Sequence, residues 1–206
     1  MAGSSGRNLK RLDESEAFDV IAENLESRVS ITVGMNDVIT RCCGNVPELS
    51  ELDYGLDCRS IGEWLKTVLN NEPPPTKANL FWFGLRNSNE VSISGYSAYT
   101  NRDFARTWIT DENRIYNPLL DTRESAILDA IHAFASQNED YASFIEYTLC
   151  LAYGALAVNS ALQSIPSELI LSGAKERFVN VGWDSGDWLE LGKVTNAGLC
   201  YMGQTV

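Results

Sequence analysis

The chain has 206 residues, a formal net charge of -12 and a single histidine, His132. Its 28 Asp and Glu residues outnumber 16 Lys and Arg, so we expect a basic partner rather than nucleic-acid phosphates. Most acid-base and metal chemistry near neutral pH uses histidine, so a catalytic site would depend on other side chains. The hydrophobic fraction of 44% and the charged fraction of 21% are typical of a folded domain.

The length is compatible with one large domain or two small ones. Residues 1–12 are small, polar and mildly basic, which predicts a flexible tail. Residues 13–206 are predicted to form a single domain. The run Pro73 to Pro75, within residues 72–78, is the candidate for a subdomain joint, and a simple loop explains it equally well.

The first predicted elements are a helix and a strand. Asp13 with Glu16 forms a capping box ahead of apolar residues at helical spacing. Val29, Ile31 and Val33 then alternate, which predicts a short strand.

Two more helices are predicted before the proline run. Asn36 is expected to cap a short helix that ends near Arg41. Ser60 with Glu63 forms a second capping box, and an apolar stripe follows it. This helix must end before Pro73, because proline cannot continue it.

A β-hairpin is predicted after the prolines. The aromatic run 79–85 and an extended run from Val91 flank the turn residues 87–89, and Gly95 is placed at a bulge. The secondary structure of residues 101–116 is ambiguous, although some of the apolar residues could form one helical face, and the residues that follow, Asn117 and Pro118, predict a turn.

The next segment predicts an antiparallel helix pair. Asp121 with Glu124 forms a third capping box, and the short connector 136–140 leads into a long helix over 141–163. This helix is apolar on nearly all sides and should be central in the fold. Because it carries Glu146, a buried core helix explains it better than a membrane span.

The C-terminal segment returns to strands. Residues 178–183 and 188–191 flank the acidic turn 184–187, and a last strand is expected over 199–202. The fold class is therefore α+β: amphipathic helices, including a central antiparallel pair, packed with a small antiparallel sheet that is built from hairpins.

Catalytic and metal motifs receive little support. His132 could activate the thiol of Cys150, but a structural histidine is the expected interpretation. The nucleotide-binding glycine motifs and the GxSxG elbow are absent from the sequence. The five cysteines lack zinc-site spacing. We therefore predict no catalytic residue, metal site or cofactor, and expect reduced thiols in a cytoplasmic protein.

Carboxylates are harder to dismiss. Asp184 and Asp187, together with Asp111 and Glu112, could converge to bind Mg²⁺ or to hydrolyse a substrate. Aspartates at turns also have local structural reasons to be there. A carboxylate-based, Mg-dependent hydrolase is the alternative function.

A partner-binding surface is the preferred hypothesis. Two tryptophans bracket the acidic turn 184–187, and the first hairpin adds three more aromatic residues. Such side chains fill cores, but on an exposed face they anchor partners. The predicted partner-binding residues are Trp183, Asp184, Asp187, Trp188, Trp82, Tyr96 and Tyr99.

These observations predict a non-catalytic, acidic, cytoplasmic protein-binding module. An inhibitor or immunity-type protein that neutralises a basic toxin or nuclease fits the charge of -12 and the absent motifs. We expect it to bind neither nucleic acid nor membranes. The sequence leaves its oligomeric state open.

Overall fold

A computed structural model describes residues 12–87, 91–98, 114–137, 142–183 and 188–201. The helices are α1 (Glu14–Glu26), α2 (Ile31–Cys43), α3 (Pro47–Ser50), α4 (Tyr54–Asn71), α5 (Ala126–Ser136), α6 (Ala142–Ser164) and α7 (Ser167–Leu171). The strands are β1 (Leu80–Asn87), β2 (Val91–Ala98), β3 (Arg114–Tyr116), β4 (Thr122–Glu124), β5 (Arg177–Trp183), β6 (Trp188–Thr195) and β7 (Gly198–Cys200).

The strands form one sheet in the order β3-β2-β1-β5-β6-β7, and β4 also pairs with β2. The hairpins β1-β2 and β5-β6 are antiparallel, as predicted, but they are joined by a parallel pairing of β1 with β5. The α+β class is confirmed, and the sheet is mixed rather than antiparallel. The connection from β2 to β5 contains α5, α6 and α7, which gives the chain the length that a parallel crossover needs.

Helix α6 is the centre of the core. It packs against α1, α2, α4 and α5 on one side and against β1 and β5 on the other. Of the described helices, it is the one long and apolar enough to cross a membrane, and 83% of its most apolar window is buried inside the protein. The predicted central helix is thus confirmed, and α5 forms the antiparallel pair with it.

The contact of α6 with the sheet requires a glycine. A Cβ at Gly154 would lie 3.2 Å from Leu85 and 3.3 Å from Val181. We expect Gly154→Val to lower the free energy of unfolding by about 1–3 kcal/mol, because the added methyl groups overpack this contact. Urea denaturation measures the change. Gly62→Ala, where the nearest atom is Ser164 Oγ at 3.4 Å, is the control and should be neutral or stabilising; equal effects at both sites would contradict the packing argument.

Helix α2 replaces the strand predicted over residues 29–33. Ser30 is its N-cap, and Ser30 Oγ accepts a hydrogen bond from Val33 N at 3.4 Å. Ile31 and Met35 face the core at helical spacing, and this burial outweighs the brief alternation. Asn36 lies inside the helix and does not cap it.

Helix α4 begins seven residues, or about two turns, earlier than predicted. Asp53 is its N-cap, with its carboxylate 2.9 Å from Leu56 N. Ser60 and Glu63 lie in the middle of the helix, so the capping box predicted there is wrong. The helix ends at Asn71, before Pro73, as predicted.

Helix α5 is capped by Ser125 rather than by Asp121. Ser125 Oγ accepts from Leu128 N at 3.3 Å. Glu124 belongs to β4, where pairing with Ser92 of β2 holds it in an extended conformation. The box predicted for Asp121 and Glu124 is therefore wrong, whereas the Asp13 and Glu16 box of α1 is present.

The predicted hairpins have regular pairing. Asn87 pairs with Val91, and Gly95 pairs directly with Phe83, so the bulge predicted at Gly95 is wrong. An irregularity occurs instead between Ser97 and Ala98, where β2 meets β3. Most of the ambiguous segment 101–116 lies outside the described residues, and its end forms β3.

Arg177 fixes the proline run to the sheet. Its side chain is fully buried, and its guanidinium donates to the carbonyl oxygens of Leu171 at 2.8 Å, Pro75 at 3.1 Å, Pro74 at 3.4 Å and Ala78. Burial lowers the pKa of Arg177 to about 10, so the group is still charged at neutral pH. Carbonyl dipoles, rather than a carboxylate, hold this charge.

Candidate partner-binding surface

The two tryptophans beside the acidic turn lie on opposite faces of the sheet. Gly182 pairs with Trp188, so Trp183, one residue further along, projects to the other side. Trp183 is buried and stacks on Tyr147 of α6, with ring centroids 6.1 Å apart and an interplanar angle of 15°. It therefore packs in the core, next to the helices.

Trp188 shares its face with Trp82. Their rings meet edge to face with centroids 6.5 Å apart, and Trp82 is buried whereas Trp188 is half-buried. Tyr96 occupies the register position opposite Trp82. Of the predicted partner-binding residues, the fold thus brings Trp82 and Trp188 into contact.

Several predicted site residues lie outside the described residues. They are Tyr99, Asp111, Glu112, Asp184 and Asp187. The predicted aromatic and acidic surface, and the alternative carboxylate site, stay predictions.

His132 contacts a carboxylate rather than a thiol. Its Nδ1 lies 3.0 Å from Glu146 Oε1, across the α5-α6 contact. Cys150 is fully buried in α6, and burial raises the pKa of its thiol. A buried thiol in apolar surroundings is a poor nucleophile.

The burial of Cys42 and Cys43 also favours structural roles for these two cysteines. Burial raises the pKa of Cys42 to about 11 and that of Cys43 to about 12. All five cysteines are free, and only Cys200 is exposed. Within the described ranges, no group of three His, Cys, Asp or Glu side chains could hold a metal ion.

A buried polar cluster, missed from the sequence, joins α4, β4 and α6. Asp57 accepts hydrogen bonds from Ser125 Oγ at 2.6 Å, from the Arg123 guanidinium and from the Tyr153 hydroxyl. Burial alone would raise the pKa of Asp57, but these donors outweigh it and lower that pKa. The cluster fixes β4 and the start of α5 against the core.

A surface turn carries two adjacent exposed leucines, and Leu119 is the most exposed large apolar side chain among the described residues. Leu119 is 90% exposed and Leu120 is 53% exposed. These two residues are called the leucine turn below. A leucine pair between Pro118 and Asp121 is the sequence signal that could have drawn attention to it, since turns are usually polar.

The backbone of the leucine turn is held on α4. Trp64 Nε1 donates to the Leu120 carbonyl oxygen at 3.0 Å. Both carboxylate oxygens of Glu72 lie 3.0 Å from Leu119 N. The Tyr116 hydroxyl donates to the Glu72 carbonyl oxygen. The main chain is thus anchored while both leucine side chains project into solvent.

An apolar depression lies beside the leucine turn. It is lined by Trp64, Leu65, Val68, Leu69, Phe81, Phe83 and Tyr116, and encloses about 10 Å³. That volume holds about one water molecule, whereas small-molecule sites occupy roughly 300–1,000 Å³. The depression therefore adds apolar surface next to the turn without forming a substrate pocket.

Comparisons of the chain with known proteins found no relative. No protein-family model, curated protein or solved structure matches the chain.

Proposed function

We propose that this chain is a non-catalytic, acidic protein-binding module, of the inhibitor or immunity type, that neutralises a basic partner such as a toxin or nuclease. The observation that carries the proposal is the leucine turn: an exposed apolar pair on an anchored backbone, in a chain of net charge -12. Adjacent exposed apolar side chains with a polar rim, unlike single scattered ones, are a feature of interaction sites.

The charge supports a basic partner. Exposed carboxylates follow the outer face of α1 at Glu16, Asp19, Glu23 and Glu26. Arg41 pairs with Glu23 at 2.5 Å, which offsets part of that charge. The remaining negative field favours encounter with a cationic protein and makes association salt-sensitive.

A reducing, cytoplasmic location is part of the proposal. Four of the five thiols lie buried in the core without a disulfide, as expected for a protein of a reducing compartment.

The hydrolase alternative stays a sequence prediction. Its carboxylates, Asp111, Glu112, Asp184 and Asp187, lie outside the described residues. The depression beside Trp64 is lined by apolar side chains and Tyr116 and contains no carboxylate, so that cavity gives the carboxylate-based alternative no support.

Affinity capture tests the proposal. The tagged chain is incubated with lysate from its native source at low and at high salt, and co-eluting proteins are identified by mass spectrometry. We expect one basic protein to be recovered at low salt and to be depleted at high salt. Recovery of no specific protein at either salt concentration would overturn the proposal.

A further inference from the structure

Resting on the proposed function, we propose that the leucine turn inserts into an apolar socket on the basic partner and is the apolar anchor of the interface. Leu119 and Leu120 would enter the socket, and Lys or Arg residues at its rim would face the carboxylates around the turn. This anchor lies in the turn between β3 and β4, against Trp64 of α4.

The backbone of the leucine turn is preorganised for binding. Trp64 holds the Leu120 carbonyl, and Glu72 holds the Leu119 amide. An anchored turn loses little backbone freedom when a partner binds, so burial of its side chains is converted more fully into affinity. An exposed leucine on an unanchored loop would lack this advantage.

The surroundings of the leucine turn carry negative charge. Asp121 follows Leu120 directly, Glu124 is exposed in β4, and Glu72 contacts the turn itself. Glu63, also exposed, precedes Trp64 on α4.

Nearby positive charge offsets only part of this negative charge among the described residues. Arg123 pairs with Asp57 in the core. Arg59 and Lys66 are exposed on α4, four residues before and three residues after Glu63, so they lie next to that carboxylate on the helix surface. The negative charge at the turn therefore comes mainly from Glu72, Asp121 and Glu124.

The charge also selects the occupant. A second copy of the chain would bring the same carboxylates together, and like charges at an interface cost affinity. A protein with a basic rim gains from them. We therefore assign the turn to a basic protein rather than to self-association.

The test compares matched variants in quantitative capture of the basic protein that the wild-type chain recovers at low salt. Leu119→Ser with Leu120→Ser removes the anchor, and we expect about tenfold weaker binding or more, because the burial of two apolar side chains is lost. Val33→Ser is the control, since Val33 is 56% exposed on α2; it should bind as the wild type does. Circular dichroism and urea denaturation verify that each variant is folded.

A second comparison uses charge. Glu63→Gln with Glu124→Gln should weaken capture and reduce its salt dependence, whereas Asp19→Asn with Glu26→Gln on α1 should change both less. A photo-crosslinking residue, Leu119→p-benzoylphenylalanine, should crosslink to the same basic protein.

The outcomes separate the two proposals. If the wild type recovers the basic protein and the serine variant binds it equally well, the leucine-turn inference is overturned while the proposed function stands. The same holds if only the α1 pair reduces binding, or if the crosslinked product is a dimer of the chain. If the wild type recovers no basic protein, the proposed function itself fails.

Discussion

Replacing Arg177 by Met is expected to lower the free energy of unfolding by about 3–5 kcal/mol, because several buried carbonyl oxygens lose their donor and each such loss costs about 1–3 kcal/mol. The guanidinium is the donor to the carbonyl oxygens of Leu171, Ala78, Pro74 and Pro75. Met fills much of the volume of the arginine stem but donates nothing, so buried carbonyl groups lose their partners. Urea denaturation measures the loss as a lower midpoint with an unchanged slope.

Two further variants isolate the cause. Arg177→Lys keeps a charge but loses the planar fork that reaches several acceptors, so it should also be destabilising. Lys175→Met removes an exposed positive charge two residues away and should change stability by no more than about 0.5 kcal/mol. A loss below about 1 kcal/mol for Arg177→Met would show that the fold does not depend on this network.

Asp57→Asn is expected to lower the free energy of unfolding by about 3 kcal/mol at neutral pH, because it leaves the half-buried Arg123 guanidinium without its counter-charge. An amide oxygen also accepts less strongly than a carboxylate from Ser125 and Tyr153. The fold thus depends on a cluster whose members are far apart in sequence.

The loss should depend on pH in a defined direction. The donors around Asp57 outweigh its burial and lower its pKa in the folded state. Its contribution to stability is therefore complete above the unfolded value of about 3.9 and is lost as pH falls through the folded pKa. The difference between wild type and Asp57→Asn should narrow in acid.

Urea denaturation at neutral and at acidic pH measures this difference. Asp19→Asn, an exposed change on α1, is the control and should stay within about 0.5 kcal/mol of the wild type. A difference for Asp57→Asn that is constant across the acid range would contradict the assignment.

The fold class, the central helix and both hairpins could be predicted because the spacing of apolar and turn residues close together in the sequence determines them. Apolar spacing over α6 and the strand pairs around 88–90 and 184–187 need only neighbouring residues. The parallel pairing of β1 with β5 could not be predicted in this way, since it joins segments almost one hundred residues apart.

The helix starts show why short motifs mislead. Ser60 and Asp121 both stand three residues before a glutamate, yet neither begins a helix. Asp53 and Ser125 are the caps instead, and sheet pairing of Glu124 excludes a helical start at Asp121. Tertiary contacts therefore decide between competing local signals.

The candidate surface was the least predictable part. Strand alternation separates Trp183 from Trp188, which depends on a register that the sequence does not specify. The exposure of Leu119 and Leu120 depends on Trp64 of α4 and on Glu72, the C-cap of that helix, which hold the turn from a distant part of the chain. Composition and charge indicated a binding protein, but not which face would bind.

Titration calorimetry tests most directly the proposal that this acidic chain binds a basic protein through opposite charges. The purified chain is titrated with the basic protein that it recovers, over a series of salt concentrations. We expect a Kd that weakens by about tenfold or more between roughly 50 and 500 mM salt, because opposite charges at the interface are increasingly screened. A Kd that is independent of salt would contradict electrostatic recognition by this acidic chain.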